Sequence, residues 1–332
     1  NALGYTLADR TTRYQEALEL IETNTPEPTG TEVLVQVRAA GVCHSDIHFW
    51  EGGYDLGNGR TLSLKDRGIK LPMTMGHETA GTVVAMGPQA TGVEKGRNYL
   101  VYPWIGCRTC PACLDQLENH CANPQYLGVH RPGGYADHIL VPDARYLIDI
   151  GDLDPAAIAP YACSGITTYS ALKKIGASLY QKHPIVIMGA GGLGLMCLAL
   201  VKALNGVGAI VVDIDPVKRQ AALEAGALAA IDGAAPDAAQ QIIAANGGKL
   251  LQGIVDLVGA PSTTELGFNV MIKGGMRPGD AILLTKPIGT GTLFAALPQL
   301  KTKGRWIDAA LESMVKSNRL GAQCLREYGS KA

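Results

Sequence analysis

Apolar residues recur along this chain in two rhythms. Near the start, Glu32-Val33-Leu34-Val35-Gln36-Val37-Arg38 and Thr79 to Val84 read as half-buried strands edged by glycine or polar residues. Further on, Pro184-Ile185-Val186-Ile187-Met188 is a continuous apolar run of the kind a buried parallel strand needs, and an apolar helical pattern follows it through Leu204. Alternation continues with a strand at Ala209-Ile210-Val211-Val212, a helix over Pro216 to Ala225, a strand at Ala229 to Asp232, a helix over Pro236 to Ala245 and a strand at Gly253 to Val258. Repeated strand-then-helix units predict an α/β fold with a doubly wound parallel sheet.

Residues 184–201 form 18 positions without a charge, close to the minimum for a membrane span. Gly189, Gly191, Gly192 and Gly194 divide them into strand, turn and helix, so no membrane association is expected. With 332 residues the chain exceeds the usual length of one domain, roughly 100–200 residues, and two domains are expected. Hydrophobic residues make up 47% and charged residues 18%, as in a globular protein. The 29 Lys+Arg balance 30 Asp+Glu without any run of one sign, which argues against a nucleic-acid partner. Asn1-Ala2-Leu3-Gly4-Tyr5 carries no basic-then-apolar signal, so a reducing, cytoplasmic setting is expected.

That setting changes how the eight cysteines read. Cys107, Cys110, Cys113 and Cys121 follow the spacing C-x2-C-x2-C-x7-C between Pro103 and Pro124. Short spacers let thiolates converge at about 2.3 Å on one tetrahedral zinc ion, and four sulfurs leave no position open, so this zinc is expected to be structural. A second constellation is looser. Cys43 follows the first strand-like run, Gly76-His77-Glu78 precedes the second, and Cys163 stands just before a helical stretch from Ile166 to Ile175. Two thiolates and one imidazole would form a site with a free fourth position, the catalytic form of zinc coordination.

Gly41-Val42-Cys43-His44-Ser45-Asp46, Gly76-His77-Glu78, the cysteine lobe and Cys163-Ser164-Gly165-Ile166-Thr167-Thr168-Tyr169 together resemble, in order and spacing, the zinc-dependent alcohol dehydrogenases of the medium-chain dehydrogenase/reductase family. The resemblance spans residues 1 to about 275. It implies a GroES-like β-barrel catalytic domain over residues 1–155 with a structural zinc lobe near 103–124, a Rossmann NAD-binding domain over 156–290 and an atypical helical segment over 291–332. It makes Cys43, His77 and Cys163 ligands of a catalytic zinc, with Glu78 able to approach the metal and Asp46 orienting His77. Ser45 and His48 match the family's proton relay. His44 is implied at the cofactor. Trp50, Tyr54, Trp104 and Tyr126 are candidate lining for an apolar substrate pocket. A small alcohol, with its aldehyde or ketone, is the implied substrate, and a homo-oligomer, dimer or tetramer, the implied assembly.

Gly189-Ala190-Gly191-Gly192-Leu193-Gly194 places G-x-G-x-x-G at a strand-to-helix turn, where backbone amides can meet a pyrophosphate. Asp213 lies 19 residues beyond Gly194, the distance expected of a carboxylate that bonds a ribose 2′-hydroxyl, and it favours NAD over NADP. Lys218 is, by the resemblance, a further partner for that ribose.

After Lys273-Gly274-Gly275 the pattern changes. Met276 to Gly291, Trp306-Ile307-Asp308-Ala309-Ala310-Leu311 and Ser317-Asn318-Arg319 resemble an internal piece of a selenophosphate synthetase. The magnesium carboxylates and phosphate cradle that phosphoryl transfer requires have no counterpart here, so a kinase reading is set aside. Ala281 to Thr285 is expected to replace the missing sheet strand, and Arg305 to Leu325 to form an amphipathic helix. Cys197 and Cys324 read as buried small residues. Beside an active dehydrogenase, a zinc- and NAD-binding protein impaired by its altered C-terminal region, and a fusion product only partly intact, stay open.

Overall fold

The computed structural model describes residues 24–55, 61–64, 69 and 73–272, together with the backbone at 283–284. It divides into two compact units, Asn1–Cys163 and Ser164–Ala332. In the first, strands β1 (Val33–Gly41), β2 (Gly53–Asp55), β3 (Thr61–Ser63), β4 (Glu78–Met86), β5 (Asn98–Val101), β6 (His138–Val141) and β7 (Leu147–Asp149) follow one another. Five of them build an antiparallel sheet in the order β6-β1-β4-β5-β7, while β2 and β3 pair separately. Val33, Val35 and Val83 are buried with Tyr99, Val101, Ile139 and Val141, so the alternating face that the Val-rich runs predict is the core face.

The central pair extends beyond the apolar runs. β1 and β4 pair from Val33↔Met86 to Gly41↔Glu78, with irregularities between Leu34 and Val35 and between Val37 and Ala39, and the ladder reaches the residues flanking Cys43 and His77. Close approach of the two strands needs Gly81, where a Cβ would lie 2.1 Å from the carbonyl oxygen of Gln36.

In the second unit, β8 (Ile185–Met188), β9 (Ala209–Asp213), β10 (Ala229–Asp232), β11 (Ile254–Asp256) and β12 (Leu283–Leu284) form a parallel sheet in the order β10-β9-β8-β11-β12. Helices Gly192–Ala203, Pro216–Glu224, Ala238–Ala245 and Pro261–Val270 connect or follow the strands. Alternate residues of β8 serve two cores. Ile185 and Ile187 pack with Ala171, Leu172, Cys197 and Leu198, and Val186 and Met188 pack with Ile242, Leu251 and Val270. This double burial explains the unbroken apolar run.

Boundaries move for local reasons. The helix expected from Pro236 starts at Ala238, because the segment before it turns, with the Ala234 N–H donating to Asp232 Oδ1. Leu283–Leu284 pairs in parallel with Val255 and Asp256, which realises over two residues the strand expected at 281–285. The helix expected at 305–325 and Cys324 lie outside the described residues. Among the described residues no helix is long and apolar enough to cross a membrane.

Ile187 is fully buried in the middle of the sheet. Truncation by Ile187→Ala should cost about 2–5 kcal/mol, measured as a shift in the denaturant unfolding of the second unit.

Candidate metal centres and nucleotide turn

Cys43 stands two residues beyond β1, where it caps the helix His44–Glu51. Its N–H donates to Asp46 Oδ2 at 2.9 Å, which fixes the first helical turn against the strand end. His77 immediately precedes β4, and Cys163 closes the 3-10 turn Ala159–Ala162. One ligand atom from each of Cys43, His77, Glu78 and Cys163 lies within 4.8 Å of the others. The two sulfurs are 3.8 Å apart. His77, Glu78 and Cys163 are buried, and Cys43 is half-buried.

The orientation of His77 is set from behind. Its Nδ1 lies 3.2 Å from Oδ1 of the buried Asp46. The carboxylate accepts the Nδ1 proton and leaves the other ring nitrogen facing the sulfurs. That Nε2 atom is buried and has no hydrogen-bond partner among the described residues. Such an orphan calls for a missing ligand. Burial works against a charge on the His77 ring, yet the Asp46 carboxylate and the Cys43 sulfur outweigh it and lift the ring to about 10. The Cys43 thiol is lowered to about 4, first by the hydrogen bond with Cys163 and then by His77, while that same bond and burial push Cys163 up. Burial, then the Cys43 charge, raises Glu78 to about 7. A buried thiolate beside an imidazole and a carboxyl that both hold protons more strongly than usual is an environment suited to a cation, and two sulfurs with one imidazole suit zinc.

Tyr135 was not singled out in the sequence. Its hydroxyl lies 3.0 Å from Asp46 Oδ2 and 3.0 Å from the Gly41 carbonyl oxygen, so it ties the carboxylate behind His77 to the strand that delivers Cys43. Burial, with the Asp46 charge, pushes its hydroxyl above the ordinary tyrosine value and keeps it a donor. The only signal in the chain is Gly133-Gly134 before it. A Cβ at Gly134 would meet Thr79 Oγ1 at 2.0 Å, so this segment crosses β4 too closely for a larger residue.

Ser45 and His48 lie three positions apart on one helix, and so neighbour each other on its surface. The His48 ring is 4.7 Å from His44 and 4.8 Å from Tyr54, and its Nδ1 is 3.7 Å from the exposed Glu51 carboxylate. Of the expected pocket aromatics, Trp104 packs 5.8 Å from the His77 ring and donates its indole N–H to the Ala162 carbonyl at 3.1 Å. Tyr126 meets Trp104 edge-on at 5.0 Å, Tyr54 is buried against Phe49, and Trp50 is exposed.

The four-cysteine lobe is built differently. Its sulfurs also lie within 4.8 Å of one another, but they collect backbone donors. Cys121 Sγ accepts from the N–H of Cys107 at 3.2 Å and of Asn123 at 3.3 Å, and Cys107 Sγ accepts from Cys110 at 3.3 Å. Hydrogen bonds from Thr109 lower Cys107 to about 5. Gly106 makes room for this cluster, since a Cβ there would sit 2.6 Å from Cys113 Sγ. Glu118 anchors the loop by accepting from the Gly106 N–H at 3.0 Å and the Tyr146 hydroxyl at 2.9 Å, and it pairs with Arg145. Arg108, held at φ 63°, pairs with Asp143 at 3.1 Å. Four converging sulfurs fit a closed zinc shell.

At the end of β8, Gly189 takes φ 94°, and a Cβ on Gly194 would lie 1.9 Å from the Gly189 carbonyl oxygen. Glycine is therefore required at both for the turn and its packing. Gly191 and Gly192 differ, because a Cβ on either would meet nothing within 4 Å. The open space there, with Leu193 half-buried behind it, leaves the helix N-terminus accessible to a pyrophosphate. Asp213 reaches back to the same turn, its carboxylate accepting from the Ala190 N–H at 2.7 Å and the Asp215 N–H at 2.9 Å. The helix after it is capped by Asp215, and Lys218 is exposed on that helix. His44, in the first unit, is also exposed.

Two family profiles match the chain, described as "Alcohol dehydrogenase GroES-like domain" over residues 29–152 and "Zinc-binding dehydrogenase" over residues 192–278. Relatives include an NAD-dependent alcohol dehydrogenase of Sulfurisphaera tokodaii, 37% identical over 78% of this chain and 73% of its own. Another, from Saccharolobus solfataricus, is 36% identical with the same coverage. Among solved structures, the D-arabinose dehydrogenase from Sulfolobus solfataricus superposes with a TM-score of 0.67 at 30% identity over 77% of each chain. The alcohol dehydrogenase from Aeropyrum pernix gives 0.64 at 28%, over 76% of this chain and 72% of that one.

Replacing Tyr135 by Phe removes the donor to Asp46 and should lower metal affinity at the Cys43–His77–Cys163 site about tenfold or more, read as faster loss of one zinc ion per chain to a chelator. The two kinds of glycine should separate as well. Gly191→Ala should keep the thermal midpoint and weaken NADH binding, whereas Gly194→Ala should destabilise the second unit by about 1–3 kcal/mol in a melting experiment.

Proposed function

The chain belongs to the zinc-binding alcohol dehydrogenases of the medium-chain dehydrogenase/reductase family, and from that premise we propose that it interconverts an alcohol with its aldehyde or ketone, passing hydride to or from NAD. The observation that carries this reading is the unpartnered Nε2 of His77, buried beside two cysteine sulfurs and fixed from behind by Asp46. Cys43, His77 and Cys163 hold the catalytic zinc, with Glu78 as an adjacent carboxylate. Cys107, Cys110, Cys113 and Cys121 hold the structural one. When bound, the catalytic zinc supplies a Lewis acid for the alcohol oxygen.

Protein groups provide the rest. Asp46, braced by Tyr135, keeps the His77 ring in one orientation. The Ser45 hydroxyl takes the substrate's proton and hands it along the helix to His48, which lies next to the exposed Glu51. Trp104 and Tyr126 give the site an aromatic wall beside His77 and keep water from it. In the second unit, the open backbone at Gly191 and Gly192 receives the pyrophosphate, while Asp213 bonds the ribose 2′-hydroxyl and repels a 2′-phosphate. Lys218 contributes to the same ribose. The cofactor carries the redox chemistry and the protein aligns it.

Formation of NADH should be followed by absorbance across a panel of primary and secondary alcohols, with zinc measured on the same sample. Turnover with about two zinc ions per chain, one open site and one closed, is the expected result. The same zinc content with NADH bound and no alcohol turned over would overturn the dehydrogenase reading in favour of a zinc- and NAD-binding protein impaired in catalysis.

A further inference from the structure

β9 and β10 are parallel neighbours, and Asp213 and Asp232 stand opposite each other at their ends. Arg219 spans the pair from the helix Pro216–Glu224. One guanidinium nitrogen donates to the Asp213 carbonyl oxygen at 2.9 Å, and the other lies 3.3 Å from Asp232 Oδ2. The cation is therefore held against the backbone of the residue whose carboxylate accepts from the nucleotide turn. A guanidinium in that neighbourhood is suited to a phosphate, because its planar fork offers paired N–H donors and a charge that does not titrate away. Nothing in the reading of Asp213 alone accounts for a cation so close to a ribose that is meant to carry no phosphate.

We infer that Asp232 is a determinant of cofactor choice: by engaging Arg219 it withholds the guanidinium from a 2′-phosphate and so reinforces the preference set by Asp213. The inference rests on the reading of the second unit as an NAD site. Asp232 acts twice, occupying one arm of the fork and adding a negative charge beside that of Asp213. Asp215 does not substitute for it, since its carboxylate caps the following helix by accepting the Val217 N–H at 2.9 Å. Lys218, exposed on the same helix, is present whether or not Asp232 is charged. The side chains of Arg219 and Asp232 are 20% and 40% exposed, so their pairing adds little to the fold and can be altered without unfolding the unit.

The test is a fluorescence titration of the full-length chain with NADH and with NADPH, which needs no turnover. In Asp232→Asn the NADPH dissociation constant should fall by about tenfold, the scale of removing one charge near a half-exposed phosphate, while that for NADH should stay within about twofold. Adding Arg219→Ala to Asp232→Asn should abolish the gain. Unchanged NADPH binding in Asp232→Asn, with NADH binding normal, would overturn the inference, as would a gain that survives loss of Arg219. A parent protein that binds neither nucleotide would fail the underlying NAD reading instead, and the two failures are told apart by the NADH titration of the parent.

Discussion

The antiparallel register that sets Gly41 opposite Glu78 is the constraint on which the first unit's chemistry depends. Because the ladder between β1 and β4 runs to that pair, Cys43 and His77 leave adjacent strands at one level and cannot drift apart. Gly41 leaves room for the Glu78 side chain as it stands, since a Cβ would lie 2.2 Å from Glu78 Oε2 and 3.1 Å from Glu78 Cβ. A one-residue slip would turn every side chain of the pair to the opposite face. Cys43 and His77 are thus placed by the backbone ladder, Cys163 comes from the turn Ala159–Ala162, and Asp46 and Tyr135 set the angle of the imidazole ring.

Charge then explains why so much polarity is buried beside those strands. Asp46, Glu78 and His77 are all nearly inaccessible, next to two cysteine sulfurs. Burying anions is costly unless a cation or strong donors compensate. The Tyr135 hydroxyl and the Cys43 N–H compensate Asp46, which leaves the Cys43 sulfur and the lone nitrogen of His77 to be satisfied by something positive. The four-cysteine lobe reaches the same end by another route. Lying in a loop rather than between strands, it relies on backbone N–H donors to its sulfurs and on the Glu118–Arg145 and Arg108–Asp143 pairs.

In the second unit the glycines divide the work by the space around them. Gly189 and Gly194 are needed by the protein's own packing, and Gly191 and Gly192 by nothing inside it. That contrast assigns the open pair to a ligand more directly than the repeated letter does. Asp213 adds to it by bonding the Ala190 N–H, so the carboxylate and the turn form one rigid piece before any nucleotide arrives.

The sequence by itself determined the kinds of atoms available and their local spacing. Cysteines three positions apart, a strand–glycine–helix junction and an acid 19 residues beyond it can be read because each depends on neighbours along the chain. The unbroken apolar run of β8 likewise revealed a strand buried on both faces. Tertiary structure alone decided which distant groups meet. Cys163 joins Cys43 across 120 residues, Tyr135 reaches Asp46 across 89, and Leu283–Leu284 completes a sheet edge that local pattern could only suggest. Arg219 and Asp232 look like ordinary surface charges until parallel pairing sets Asp232 beside Asp213. The reason is the same in each case: a periodic pattern fixes which face a residue takes, whereas its partner across the fold depends on register and packing that no single segment encodes.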